Sequence, residues 1–201
     1  MADAKTPRLS SDERREQIIE AALAVFGAKG YVGARTDDIA RAAAVSQPYV
    51  VRLFETKENL FVAAIQEALA RILSAFRAAV EDTGSDEPLD HRIGHAYIEL
   101  LQVRGLHQTL SQAFLLGAHP VIGPCARDGF ARVWSLLREA GFDALTAKDF
   151  LAEGMLINTL IGLRLADDYG EDPRVDELFD ACFPAEKTTV LAVAPRADEP
   201  W

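Results

Sequence analysis

The stretch that decides the fold runs from residue 36 to residue 57 and reads TDDIARAAAVSQPYVVRLFETK. Its first part has the apolar spacing of a helix of about two turns. Ala44-Val45-Ser46 ends that helix, and Ser46 can cap a second short helix with Pro48 in its first turn, where a missing N–H costs nothing. Two short helices joined by a tight turn form a helix-turn-helix, whose second helix enters the major groove of DNA.

The second helix carries side chains suited to DNA on the face predicted to be exposed: Gln47, Pro48, Tyr49 and Arg52. A glutamine pairs with a base edge, a proline ring contacts a thymine methyl, and tyrosine and arginine reach phosphates or bases. Two alternatives stay open, since Tyr49 could pack against the protein and Arg35 could be a solvated loop charge. A helical docking module built on the same architecture is a third alternative.

The flanking sequence completes a three-helix domain over residues 11–57, preceded by a flexible arm at residues 1–10. Ser11 is predicted to cap the first helix, Gly30 to end it and Thr36 to cap the next one. A long helix is predicted from Glu58 to about Glu81, with an apolar residue on every turn.

The remaining sequence predicts a larger helical domain over residues 58–183. After a linker at residues 82–88, helical periodicity recurs over approximate spans, which are 89–103, 106–118, 121–140, 147–168 and 173–182. Residues 184–201 contain three prolines and are predicted to be largely disordered. The predicted fold class is therefore all-α.

Charge is unevenly distributed along the 201 residues, whose net charge is −10. Residues 1–57 carry nine basic and eight acidic side chains, whereas residues 58–201 carry 12 basic and 23 acidic ones. The total charge alone argues against a nucleic-acid partner, but a nearly neutral N-terminal part permits one. With two cysteines, no apolar leader and no run of about 18 apolar residues, the sequence predicts a cytoplasmic protein without a membrane partner.

The run from Ile18 to Phe61 resembles the N-terminal domain of the TetR family of transcriptional regulators. The resemblance rests on the following features: Ala22-x-x-x-Phe26, Gly30-Tyr31, Thr36-x-x-Ile39-Ala40, Val45-Ser46, Phe54 and Lys57-Glu58-x-Leu60. It implies an all-helical homodimer that binds a near-palindromic double-stranded operator, with a C-terminal domain that binds a small-molecule inducer and dimerises. It also implies a repressor released by a small hydrophobic ligand, and it implies no cofactor.

Carried onto this chain, the resemblance places Thr36 at a helix cap that contacts a phosphate and Lys57 at the phosphate contact that opens the fourth helix. The predicted DNA-binding set is Arg35, Thr36, Ser46, Gln47, Pro48, Tyr49, Arg52 and Lys57. Three residues depart from the family pattern: Ala44 replaces the turn glycine, and Val51 and Leu53 stand where a tyrosine or histidine is common. We expect Tyr49 and Arg52 to take over some of those contacts.

Polar and aromatic residues inside the apolar helices are candidates for the inducer site, since ligand cavities are apolar with a few polar groups. The predicted set is Tyr97, His107, Gln112, Trp134, Met155, Asn158 and Thr159, beside Phe114 and Phe130, which could be ordinary core. The predicted dimer interface, placed on the last two long helices, is Leu151, Gly154, Met155, Asn158, Gly162, Leu165, Val175, Leu178 and Phe179. For these residues, packing within one subunit or around a ligand stays open.

An alternative from another class is an all-helical metal-dependent protein or enzyme. His91, His95 and Glu99 lie four residues apart on one helix face, a spacing that allows zinc ligation. One helix alone supplies too few ligands, however, and the sequence has no nucleophile elbow, P-loop, dinucleotide fingerprint or His-Glu-x-x-His motif. The sequence therefore favours a protein that is neither an enzyme nor a metal-binding protein.

Overall fold

A computed structural model describes residues 10–196 as an array of α-helices. The ten helices are α1 (Ser11–Gly33), α2 (Thr36–Ala42), α3 (Gln47–Phe54), α4 (Lys57–Glu81), α5 (Leu89–Glu99), α6 (Leu106–Leu115), α7 (Ile122–Glu139), α8 (Ala144–Gly162), α9 (Pro173–Cys182) and α10 (Lys187–Val193). Short 3-10 turns cover Leu100–Gln102 and Leu165–Asp167, and residues 10–196 contain no strand. The all-α prediction is confirmed.

The first helix is capped one residue earlier than predicted. Ser10, not Ser11, is the N-cap: its hydroxyl accepts from the Glu13 N–H at 3.2 Å, and the Glu13 carboxylate accepts from the Ser10 N–H at 2.7 Å. The backbone hydrogen bond from Ser10 lowers the pKa of Glu13. Gly30 interrupts the helix with a φ of +69°, and one further helical turn follows it.

Left-handed residues explain where two predicted helices were too long. The predicted helix over 147–168 begins at Ala144 and ends at Gly162, because Arg164 has a φ of +60°. The predicted helix over 89–103 gives way to a 3-10 turn after Glu99, and Gly105, with a φ of +77°, then precedes α6. In each case the local backbone conformation breaks an apolar pattern that continues past it.

The prediction of a largely disordered tail is wrong for residues 184–196. Helix α10 packs its Val190 into a second core, where Phe183 and Phe179 are also fully buried. The prolines flank this helix rather than interrupt it, so its backbone hydrogen bonds survive. Residues 1–9 of the predicted arm and residues 197–201, including Trp201, lie outside the described part of the chain.

Helix α4 is the centre of the main core and packs against α1, α5, α6 and α7. It is the one helix in residues 10–196 long and apolar enough to span a membrane, but 56% of its most apolar window is buried inside the protein. Its N-cap is Thr56, and its first residue, Lys57, directly follows the helix-turn-helix. Movements of α4 and α6 therefore reach the N-terminal domain directly, since both pack on α1.

Candidate nucleic-acid interface

The helix-turn-helix forms where the sequence predicts it. Ala44 occupies the turn with a φ of +49°, a left-handed conformation in which an alanine costs about 1 kcal/mol relative to glycine. Val50 and Phe54 of α3 are buried against α1 and α4, while Pro48, Val51 and Arg52 are exposed. Burial of one side of α3 leaves its other side open to a groove of DNA.

Two contacts already hold side chains of that open surface in place. The Arg52 guanidinium lies 4.8 Å from the centre of the Tyr49 ring, a cation–π contact that holds both side chains on the α3 surface. The Gln47 Nε2 donates to the Thr36 Oγ1 at 3.3 Å and so ties the start of α3 to the start of α2. Thr36 was predicted to cap α2, but it is the first residue of that helix. The N-cap is Arg35.

Asp38, which the sequence analysis left out of the site, organises the start of α2. Its carboxylate accepts from the Arg35 N–H at 3.2 Å and pairs with Lys29 at 3.0 Å and Arg41 at 3.5 Å. The hydrogen bond from Lys29 lowers the pKa of Asp38, whose side chain is buried although its residue type is usually exposed. An acidic residue in the first turn of a helix was the available signal, but its pairing with Lys29 needs the tertiary fold.

Lys57, a predicted phosphate contact, is half-buried and already has partners within the protein. Its ammonium donates to the carbonyls of Tyr31 at 3.0 Å and Ala34 at 3.4 Å and lies 4.7 Å from the centre of the Tyr31 ring. Two of its three donors thus fix the end of α1 to the start of α4. Contact with a phosphate would use the remaining donor.

The second predicted site is an apolar cavity between α4 and α8, with a volume of about 60 Å³. Three of the seven predicted ligand residues line it, namely Tyr97, Met155 and Asn158, and the Tyr97 hydroxyl donates to the Asn158 Oδ1 at 2.8 Å. Phe114 and Phe130 also line it, their rings meeting edge to face at 5.8 Å. The mixture of aromatic walls and one polar pair suits a small apolar ligand.

The other four predicted ligand residues lie elsewhere. Trp134 borders a shallow apolar groove beside the cavity, and Thr159 is exposed, its hydroxyl bonded to the Met155 carbonyl of its own helix. Gln112 accepts from the Tyr31 N–H at 3.4 Å, so it joins α6 to the N-terminal domain. His107 lines a different cavity. Periodicity places polar residues within helices but does not say which side of a helix meets a cavity.

Most of the predicted dimer residues are buried within the chain or line its apolar cavity. Val175, Phe179 and Asn158 are buried, Leu151 and Gly154 line the apolar cavity, and Leu165 and Leu178 pack on the second core. Met155 and Gly162 are exposed. An exposed and largely apolar face of α8, continued by the residue that follows it, consists of Ala152, Met155, Leu156, Thr159, Gly162 and Leu163.

The two histidines required by the metal alternative, His91 and His95, have different surroundings. His95 contacts the carboxylates of Glu186 and of Glu87, the latter at 3.4 Å, whereas His91 and Glu99 are exposed. Within residues 10–196, no group of three or more His, Cys, Asp or Glu side chains is placed to hold a metal ion. The geometry gives the metal hypothesis no support.

An all-helical body that presents a helix-turn-helix is typical of DNA-binding regulators, and comparison with known proteins shows which family its N-terminal domain resembles. Residues 18–64 match the model of bacterial regulatory proteins of the tetR family. The HTH-type transcriptional activator FasR of Mycolicibacterium smegmatis is 40% identical over 76 residues, which are 38% of this chain. That match spans about a third of FasR, 35% of its length.

Solved structures extend the likeness to the C-terminal helices. A TetR-family member (SCO1917) from Streptomyces coelicolor A3 is 26% identical with a TM-score of 0.56, over 91% of this chain and 99% of its own. The multidrug binding protein EbrR, complexed with imidazole, is 25% identical with a TM-score of 0.54, over 97% and 100% of the two chains. Residues 18–64 thus match the tetR family, and the chain over most of its length is similar in fold to solved structures that include a TetR-family member.

Proposed function

We propose that this protein is a homodimeric, sequence-specific DNA-binding regulator of the cytoplasm that acts without catalysis. Its predicted role is that of a repressor released from its operator by a small apolar ligand. The observation that carries the proposal is α3, whose Tyr49 and Arg52 lie stacked on the open side of a helix-turn-helix otherwise packed into the core. The name of FasR includes the word activator, so the sign of regulation is part of what must be measured.

DNA contact is confined to a small part of the surface. The exposed Arg35, Ser46 and Pro48 surround the Tyr49–Arg52 pair, while the acidic residues of 58–201 repel phosphates from the rest of the molecule. A symmetric dimer presents two such helices to half-sites about 34–36 Å apart, or a multiple of that distance. We assign the dimer contact to the exposed apolar face of α8, because most of the other predicted residues are used inside the chain.

The apolar cavity is the proposed inducer site, with the Tyr97–Asn158 pair as its polar group. Leu110 and Phe114 of α6 line it, and Gln112 of the same helix bonds the Tyr31 backbone in the N-terminal domain. A ligand that displaces α6 would therefore move the end of α1. The coupling free energy of such a pair of sites is typically about 1–3 kcal/mol.

The proposal is tested by selecting bound duplexes from a random pool and measuring affinity for the selected site. We expect Arg52→Ala to weaken binding by about 1–3 kcal/mol, because it removes a charge at a base or phosphate contact. Arg77→Ala, which removes an exposed arginine of α4 outside the predicted surface, is the matched control and should leave affinity unchanged.

The expected affinity falls steeply with salt, with a smaller slope for the Arg52 variant. Equal affinity of the Arg52 and Arg77 variants would show that the assigned surface is wrong. A transcription assay of the same operator with and without the protein then distinguishes repression from activation.

A further inference from the structure

A second cavity lies between α1 and the C-terminal segment, at the start of α6, whereas the apolar cavity is lined by later residues of that helix. Its volume is about 60 Å³, and its lining comprises Ala24, Gly27 and Ala28 of α1, Leu101, Arg104, Gly105, His107, Gln108, Arg164, Val193 and Pro195. It shares no lining residue with the apolar cavity. It has room for a few heavy atoms and not for a drug-sized ligand, which needs about 300 Å³ or more.

The charge of this cavity is opposite to that of the surrounding domain. Arg104 and Arg164 both line it, and none of its described lining residues is acidic. Residues 58–201 nevertheless carry 23 acidic against 12 basic side chains. The Arg164 side chain, held by a left-handed backbone after α8, has no hydrogen bond or ion pair to any residue of the 10–196 range.

His107 gives the cavity a buried polar group without a partner. Only 2% of the residue is exposed, and within the described part of the chain its Nε2 has no hydrogen-bond partner. Since the imidazole also bonds the Tyr97 carbonyl, we assign that bond to Nδ1–H and leave Nε2 as an acceptor. A buried nitrogen without a partner is destabilising unless a bound group satisfies it.

The cavity also lies at the start of α6. Gly105, His107 and Gln108 belong to the cap and first turn of this ten-residue helix. The N-terminal end of a helix carries partial positive charge and free N–H groups, which favour an anion. Two arginines, a helix start and a buried imidazole with an unpaired Nε2 thus line one small space.

We propose that this cavity binds a small organic carboxylate, bridging Arg164 and Arg104 to His107 and to the first turn of α6. A guanidinium binds a carboxylate through two parallel hydrogen bonds, and the alanines and Val193 suit a short aliphatic group. This proposal is separate from the operator and the apolar inducer, and it holds whether or not the chain regulates transcription.

Binding should take up a proton. Both Nε2 and a carboxylate are acceptors, so a proton must lie between them in the complex. The other titratable or charged groups facing this imidazole are Tyr97 from α5, Arg104 and Arg164, while the lining residues of α1 and α10 bring none. Calorimetry in two buffers with different ionisation enthalpies measures that uptake.

The test titrates sodium acetate into the full chain at constant ionic strength and near-neutral pH, with acetamide as the uncharged control of the same shape. We expect saturable binding of one acetate per chain with proton uptake, and no binding of acetamide. Arg164→Gln should weaken acetate binding by about tenfold or more, because it removes a bidentate charged contact. Arg77→Gln, on the surface of α4, should bind as the parent does.

His107→Asn is the second variant and should abolish the proton uptake. Its folding is checked by thermal melting, and Arg164→Gln keeps the proposal testable if it unfolds. The proposal is overturned if acetate gives no saturable heat, if acetamide binds equally well, or if Arg164→Gln binds acetate like the parent. Binding of inorganic phosphate without acetate would overturn the carboxylate assignment.

Discussion

The two cavities lined by α6, one near its start and one further along it, have the same volume, about 60 Å³, and opposite chemistry. The apolar one is lined by aromatic and aliphatic side chains with a single polar pair, Tyr97 and Asn158. The other is lined by Arg104, Arg164 and His107 and touches the N-terminal domain through α1. Size does not distinguish them, so any selectivity between ligands comes from the lining.

The comparison also separates two ways of reaching the DNA-binding domain. The apolar cavity acts on it at a distance, through α6 and Gln112. The charged cavity lies directly on α1, beside a seam where Gly27 and Gly105 approach so closely that a Cβ on Gly27 would lie 2.4 Å from the Gly105 Cα. The seam is therefore a point of very close backbone packing between α1 and α6.

A substitution that forces α1 and α6 apart at the Gly27–Gly105 seam should have the largest effect on stability. Gly105→Ala places a Cβ 2.0 Å from the Leu23 carbonyl oxygen at a φ of +77°, so α1 and α6 must separate. We expect a loss of at least about 3 kcal/mol in the free energy of unfolding, measured with urea. Gly94→Ala in α5 meets no atom within 4 Å and should instead gain about 0.5–1 kcal/mol. Equal effects of the two substitutions would mean that the seam is not tightly packed.

The buried His107 of the charged cavity also predicts a loss of stability in acid. Burial lowers the pKa of His107 from 6.5 to about 4, so between these values the unfolded chain takes up a proton that the folded chain refuses. Stability from this residue is complete above about pH 6.5 and falls by about 3 kcal/mol as the pH drops to about 4.

Urea unfolding at a series of pH values tests this, with His107→Asn expected to flatten the curve and the exposed His91→Asn expected to keep it. A parent and a His107 variant with parallel curves would contradict the assignment of a buried neutral imidazole.

Substitutions in the apolar cavity should have a smaller effect on the free energy of unfolding. This effect depends on the pair formed by Tyr97 and Asn158. Asn158→Leu leaves the buried Tyr97 hydroxyl without its acceptor and should cost about 1–3 kcal/mol. Combining it with Tyr97→Phe should recover part of that loss, since both polar groups are then removed. A double-mutant cycle measures the coupling, and Thr159→Ala is the exposed control. Additive losses would mean that the two groups act independently.

The helix-turn-helix could be predicted from local sequence because its features are local. The proline in the first turn of α3 and the buried Val50 and Phe54 follow from spacing over about twenty residues. The partners across the fold could not be predicted in this way. Lys57 has the sequence position of a phosphate contact, but the end of α1 brings two carbonyls to it.

The same limit applies to the candidate ligand residues. Tyr97 and His107 are both aromatic residues within apolar helices, and their rings lie 4.6 Å apart, yet they line different cavities. The C-terminal segment shows the same limit. Its prolines predicted disorder, but Val190 of α10 is buried in the second core, which no local pattern indicates.

Periodicity, capping residues and turn chemistry were thus sufficient for the fold class and the helix-turn-helix, and the resemblance over Ile18 to Phe61 suggested the family, because each depends on residues near one another in the chain. Which residues of α6 meet the apolar cavity and which meet the cavity with two arginines was decided by the packing of α1, α4, α8 and the C-terminal segment around it. Those contacts join residues as far apart as Ala24 and Pro195, and no local pattern along the chain encodes them.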